Sequence, residues 1–317
     1  MKTKLEKKRD VSSWCRELVA EISGHKFIYI IAVPVLVYYL LFYIKPLYGL
    51  LIAFKDYSFV KGIVGSPWAD NFGFEHFITF LKDPYFFRLI KNTLAISGLG
   101  LLFDFPAAII LALLINEVRS SKYKKLIQTS TYLPHFISIM VLCSMIHTFT
   151  GRDGFINDII EMFGGERSNL LVDPDKFRPI FIISGIWQGV GWNSIIYISA
   201  LSSIDPQLYE AASVDGASKF KQILHVTLPG IVPTITIMFI MRTGSLLSVG
   251  YEKIILLYNE MTLEKADVIS SYVYRRGLLD ADYSYSAAVG MFNSVINLII
   301  LCITNTICKR MNETSLW

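Results

Sequence analysis

Charge is scarce in this chain. Asp, Glu, Lys and Arg supply 18% of its 317 residues, against about a quarter in a soluble domain. The apolar residues, 53% of the total, gather into long runs, and mean hydropathy is +0.47. Those runs belong in a bilayer. A net charge of +4 gives no bulk electrostatic case for binding nucleic acid, so the basic residues are read as topology signals. Cysteine is rare too. Cys15, Cys143, Cys302 and Cys308 form no CxxC pair, which argues against a disulfide framework or a zinc site. His135 and His147 have no partner at ligand spacing, so no metal is expected. The sequence holds no GxxxxGK[ST] phosphate loop and no GxSxG or Ser/His/Asp set. It is therefore neither a nucleotide engine nor a hydrolase of those types.

Six apolar stretches are long enough to span, at about 27–45, 91–115, 126–149, 179–202, 230–249 and 286–308. The basic start of the chain has no small-x-small cleavage site after Ile44, so the first run reads as an uncleaved helix rather than a leader. Basic clusters lie in the N-terminal tail, at Arg119, Lys122, Lys124 and Lys125, and at Lys309 and Arg310. All three fit one orientation, with both termini in the cytoplasm. The fold class expected is all-α integral membrane with six spans. The parts are a cytoplasmic tail over 1–26, a first span over 27–45, a core over 86–308 and a C-terminal tail over 309–317. Within the core, a cytoplasmic loop covers 203–229. The outer loop 150–178 is acidic on balance.

That cytoplasmic loop contains "YEAASVDGASKFKQILHVTLPG". Asp205 can cap a helix with Pro206 at its first position. Leu208, Ala211 and Ala212 share one small apolar face, Gly216 breaks the helix, and Phe220, Ile223 and Leu224 repeat the spacing on a second short helix. Pro229 and Pro233 bracket entry to the fifth span. A helix lying on lipid headgroups would carry large apolar residues and many lysines. Small alanines beside Glu210 fit a knob seated in a partner's groove better.

Glu210-Ala211-Ala212, three residues, Gly216, nine residues, then Val226-Thr227-Leu228-Pro229 resembles the EAA loop of ABC importer permeases. Val226 stands where that family has isoleucine. "TYLPHFIS", "GFIN" and "GIWQGVGWNSIIYISAL" are similar to the branch that takes up complex oligosaccharides. The resemblance implies a type I importer fold, with a five-helix core and a wrapping first helix, in a bacterial cytoplasmic membrane. It implies that Glu210, Ala211, Ala212, Asp215, Gly216, Leu228 and Pro229 form a coupling helix docked on a cytosolic ATPase. It also implies a second related permease and an extracytoplasmic sugar-binding protein. This chain would bind no cofactor itself, ATP and magnesium being held by the ATPase.

Asp104 in the second span and Arg242 in the fifth fall near the bilayer midplane. A lone charge there costs at least about 2.5–3.5 kcal/mol. They are expected to pair with each other. Alternatives are that either faces the substrate path, or that Asp104 relays protons in a secondary active transporter. Trp187, Gln188 and Asn193 offer aromatic faces and amides for a sugar, and Tyr251 in the last outer loop could join them. The competing reading makes the fourth span a packing helix, with a tryptophan belt and close approach at Gly185 and Gly189.

Overall fold

The computed structural model describes residues 24–312 and 314–317. The basic N-terminal cluster and Cys15 lie outside the described residues. Described residues form helices and loops, with one isolated bridge between Lys55 and Trp68. We number the principal helices in chain order: α1 Lys26–Phe54, α2 Glu75–Lys82, α3 Phe86–Glu117, α4 Ser121–Phe136, α5 Ile139–Thr150, α6 Phe155–Met162, α7 Pro174–Ser202, α8 Pro206–Val214, α9 Lys219–Gly244, α10 Tyr251–Leu257, α11 Ile269–Tyr274 and α12 Tyr283–Asn312.

Four of these, α1, α3, α9 and α12, are long and apolar enough to cross a membrane. Two of the six expected stretches fall outside this set. The third stretch, 126–149, is not one helix: the chain bends by 98° between α4 and the helix that follows, and it counts as a fifth span only if the bent pair is taken together. Ser138 starts the new helix, its hydroxyl accepting from Val141 N–H. The fourth stretch is a continuous 29-residue helix, α7. Its polar middle, with Gln188 and Asn193, keeps it out of the apolar set.

Three packed clusters hold the core. Leu142 and Ile146 of α5 meet Phe177 of α7 and Ile254 of α10. Phe80 of α2, Leu89 of α3, Tyr272 of α11 and Val289 of α12 make a second. Ala108 and Ala112 of α3 meet Tyr197 of α7 and Ile231 of α9. Small residues at such contacts let backbones approach. The closest approach is at Gly191, where an added Cβ would lie 2.1 Å from the Thr131 carbonyl of α4. The sequence had suggested Gly185 and Gly189 instead. Around those two a Cβ would meet only the Lys253 and Asn193 side chains.

The segment between α9 and α12 dips back into the molecule. Asp267, fully buried, receives two hydrogen bonds from Arg275, at 2.8 and 2.5 Å. Asn92 of α3 donates to the carbonyls of Glu264 and Asp267 and accepts from Arg178 of α7 at 2.7 Å. The acidic 150–178 loop is balanced partly from within, where Arg167 bridges Asp158 and Glu161, and partly from the inward-dipping segment, where Lys265 pairs with Asp175. By contrast α1 buries nothing of its apolar window against its own chain.

Candidate functional site: a charged cavity and a braced helical loop

Asp104 ends a π-helical turn over Gly100–Asp104, followed at once by Phe105 and Pro106. Pro106 has no N–H, and its ring crowds the carbonyl four residues back. The widened turn gives room, with Phe105 N–H reaching the Gly100 carbonyl five residues back. Across the gap Arg242 Nη2 donates to Asp104 Oδ2 at 3.1 Å. The second carboxylate oxygen, Oδ1, is buried without a hydrogen-bond partner among the described residues. The Arg242 side chain stays 48% exposed, so much of the guanidinium faces open space.

That space is a cavity of about 210 Å³ walled by Asp104, Arg242, Asn193, Ser97, Gly185 and Gly250. A second hollow of about 220 Å³ adjoins it and shares Asp104, Asn193 and Arg242. Lys253 of α10 sits behind the wall, 8% exposed. Its Nζ donates to the Phe181 carbonyl at 2.8 Å and lies 4.5 Å from that ring's centre. Sequence reasoning missed Lys253. It reads there as one more charge in an outer loop, and only the inward dip of α10 brings it under α7. The signal available was the run Ile254-Ile255-Leu256-Leu257 after it, which is too apolar for a solvated loop.

The other candidate contacts separate. Asn193 joins Asp104 and Arg242. Trp187 lies in the wall of a different, almost wholly apolar groove with Phe149 and Phe155. Gln188 donates to the Ile137 carbonyl at 3.1 Å, supporting the break between α4 and α5. Trp192 stacks on His135, ring centres 4.5 Å apart, and His147 contacts the Leu256 carbonyl. Tyr251 stacks on Tyr274 at 5.3 Å.

On the other side of the core, Asp205 caps α8 by accepting from Gln207 N–H, with Pro206 at the first position. Gly216 adopts φ +74°, and Ala217 N–H closes onto the Ala212 carbonyl; this left-handed exit favours glycine. Ser218 then caps a helix that does not stop at Pro229. α9 runs unbroken from Lys219 to Gly244, with a π-helical turn over Ile223–Thr227 absorbing the proline. The expected separate second short helix and a span starting near 230 are thus one rod. Tyr209 hydroxyl meets Thr227 Oγ1 at 3.1 Å and Gln222 donates to Ser213, bracing α8 against α9. Glu210, Ala211, Asp215, Gly216 and Pro229 are exposed, while Ala212 and Leu228 are half-buried. Val214 and Phe220 also stand out into solvent.

Comparison with known proteins matches residues 104–313 to the family described as "Binding-protein-dependent transport system inner membrane component". The polygalacturonan/rhamnogalacturonan transport system permease protein YteP of Bacillus subtilis is 41% identical over 95% of this chain and 94% of its own. Protein LplB of the same organism is 42% identical over 94% and 93%. Among solved structures, a bacterial ABC transporter involved in importing the acidic polysaccharide alginate contains a chain with TM-score 0.85 and 44% identity. The match covers 93% of this chain and 99% of that one. A second structure of an alginate ABC transporter, in complex with an alginate pentasaccharide-bound periplasmic protein, matches equally well. None of these supports the secondary-transporter alternative.

Proposed function

The chain belongs to the inner membrane components of binding-protein-dependent transport systems, a multi-pass family, and on that premise we propose that it is a permease subunit of an ATP-driven importer of oligo- or polysaccharides. It forms one part of the translocation path and performs no covalent chemistry. A second related permease completes the path, an extracytoplasmic sugar-binding protein delivers the substrate, and a cytosolic ATPase holds ATP and magnesium. The termini and the loop between α7 and α9 then face the cytoplasm. Two of the similar proteins are named for polygalacturonan/rhamnogalacturonan and for the acidic polysaccharide alginate. Arg242 with its exposed guanidinium, and Lys253 behind the same cavity, supply the positive charge that a uronate carboxylate needs.

The observation that carries this reading is the lever. Glu210 and Ala211 present an exposed face on a helix braced to a continuous 26-residue rod, and that rod ends beside the charged cavity. Replacing Glu210 by Arg, or Gly216 by Val, is expected to abolish co-purification of the ATPase and to cut glycan uptake at least about tenfold, since both act on one interface. Membrane insertion survives. Uptake that continues without any ATPase and collapses with a protonophore overturns the reading.

A further inference from the structure

A separate hollow, of about 670 Å³, lies on the far side of the inward-dipping segment, within the range of roughly 300–1,000 Å³ that holds sizeable organic ligands. The two spaces are neighbours along the backbone: Gly250 lines the charged cavity and Tyr251 lines this one. One wall is an aromatic platform, the stacked rings of Tyr251 and Tyr274, inclined by 22°. The facing wall is α12, which presents Ser286, Gly290 and Asn293 at intervals of four and three residues, one helical face.

Two atoms of that face lack partners. Ser286 Oγ and Asn293 Oδ1 are buried without a hydrogen bond among the described residues, and Ser286 is only 7% exposed. Buried polar groups are normally satisfied, and a lipid chain has nothing to offer them. Gly277 allows the neighbouring turn to press on Ser286, where a Cβ would come within 3.0 Å of its side chain. A Cβ on Gly290 would meet nothing within 4 Å.

An aromatic platform opposite a hydroxyl and an amide oxygen is complementary to a pyranose ring. The ring's C–H face lies on the tyrosines and its hydroxyls donate to Asn293 and Ser286. We propose that this hollow is a second glycan subsite, holding one part of an oligosaccharide while another part occupies the charged cavity. The proposal rests on the glycan-importer reading above and adds that the path grips a chain at two places.

The test uses the complete importer, with both permeases, the ATPase and the binding protein, in proteoliposomes. The probes are polygalacturonan fragments of two and five sugar units. Gly290→Leu adds a side chain at a lining position where a Cβ meets nothing within 4 Å. The ratio of pentamer to dimer uptake is expected to fall roughly fivefold or more, with a smaller fall of the same sign for Ser286→Ala. An unchanged ratio in both variants overturns the subsite. So does loss of the second permease on purification of Gly290→Leu, which makes the hollow a subunit interface. If the unsubstituted importer takes up neither fragment with ATP, the glycan-importer reading itself fails, and the subsite with it.

Discussion

Arg242 makes one hydrogen bond to Asp104 and leaves the other carboxylate oxygen buried and unpaired. The pair is therefore under-satisfied, and its members depend on each other. Asp104→Asn or Arg242→Gln alone is expected to destabilise the protein by about 1–3 kcal/mol, while the double variant recovers part of that loss. Thermal unfolding of the purified protein in detergent measures the cycle; additive losses refute the coupling. Between α2 and α3, Asp83 accepts from the Tyr272 and Tyr285 hydroxyls at 2.6 and 2.7 Å and from Tyr85 N–H at 2.8 Å. Burial pushes its carboxyl up, but these bonds and Arg276 outweigh it and hold it below the ordinary 3.8. A depressed native value means its stabilisation is complete above the ordinary value and is lost as pH falls through the native one. Melting temperature should thus drop below about pH 4, and Asp83→Asn should flatten that drop while lowering stability at neutral pH. At this scale the sequence was readable where a charge stood against an apolar background, as with Asp104 and Arg242. It was not readable for Lys253, which follows Glu252 in an outer-loop stretch and whose burial comes from residues some 70 positions away, at Phe181.

Each of three π-helical turns, Leu40–Ile44, Gly100–Asp104 and Ile223–Thr227, is followed two residues later by a proline: Pro46, Pro106 and Pro229. In each, the residue before the proline donates its N–H to the carbonyl five residues back. The wide turn is how these helices carry proline without breaking. Pro106→Ala removes the cause. The turn should relax to α-helix, rotating the preceding residues by roughly 100° and carrying Asp104 off Arg242. Slower hydrogen exchange over residues 102–106 together with a several-fold loss of uptake is expected; faster exchange and normal uptake refute it. The element pattern was legible for the straight apolar helices α3 and α12, because length and hydropathy suffice. The bend between α4 and α5 was not legible, since the apolar run resumes at once after Pro134 and His135, and the break itself rests on Ser138 and the Gln188 contact. Nor was the continuity of α9, because Pro229 reads as a stop unless the π-turn is known.

At the scale of the whole molecule, α1 stands apart up to its last turns, where Ala53 is buried. Its apolar window is entirely unburied by its own chain, so its cover is lipid or another subunit. Deleting residues 1–47 is expected to leave the core folded, with an unfolding midpoint changed by less than about 1 kcal/mol equivalent. Collapse of the core in that variant, read by thermal unfolding, contradicts this independence. The rest of the chain is tied by contacts between distant residues, such as Asn92 with Glu264 and Asp267, and no local pattern announces those.

The unbroken α9 has a geometric consequence. At 1.5 Å per residue its 26 residues measure about 39 Å, with Lys219 at one tip and Arg242 almost at the other. A tilt of roughly 10° about the first tip sweeps the second through about 7 Å, wider than a sugar ring. A small tilt of the rod is thus geared up into a stroke large enough to gate the charged cavity.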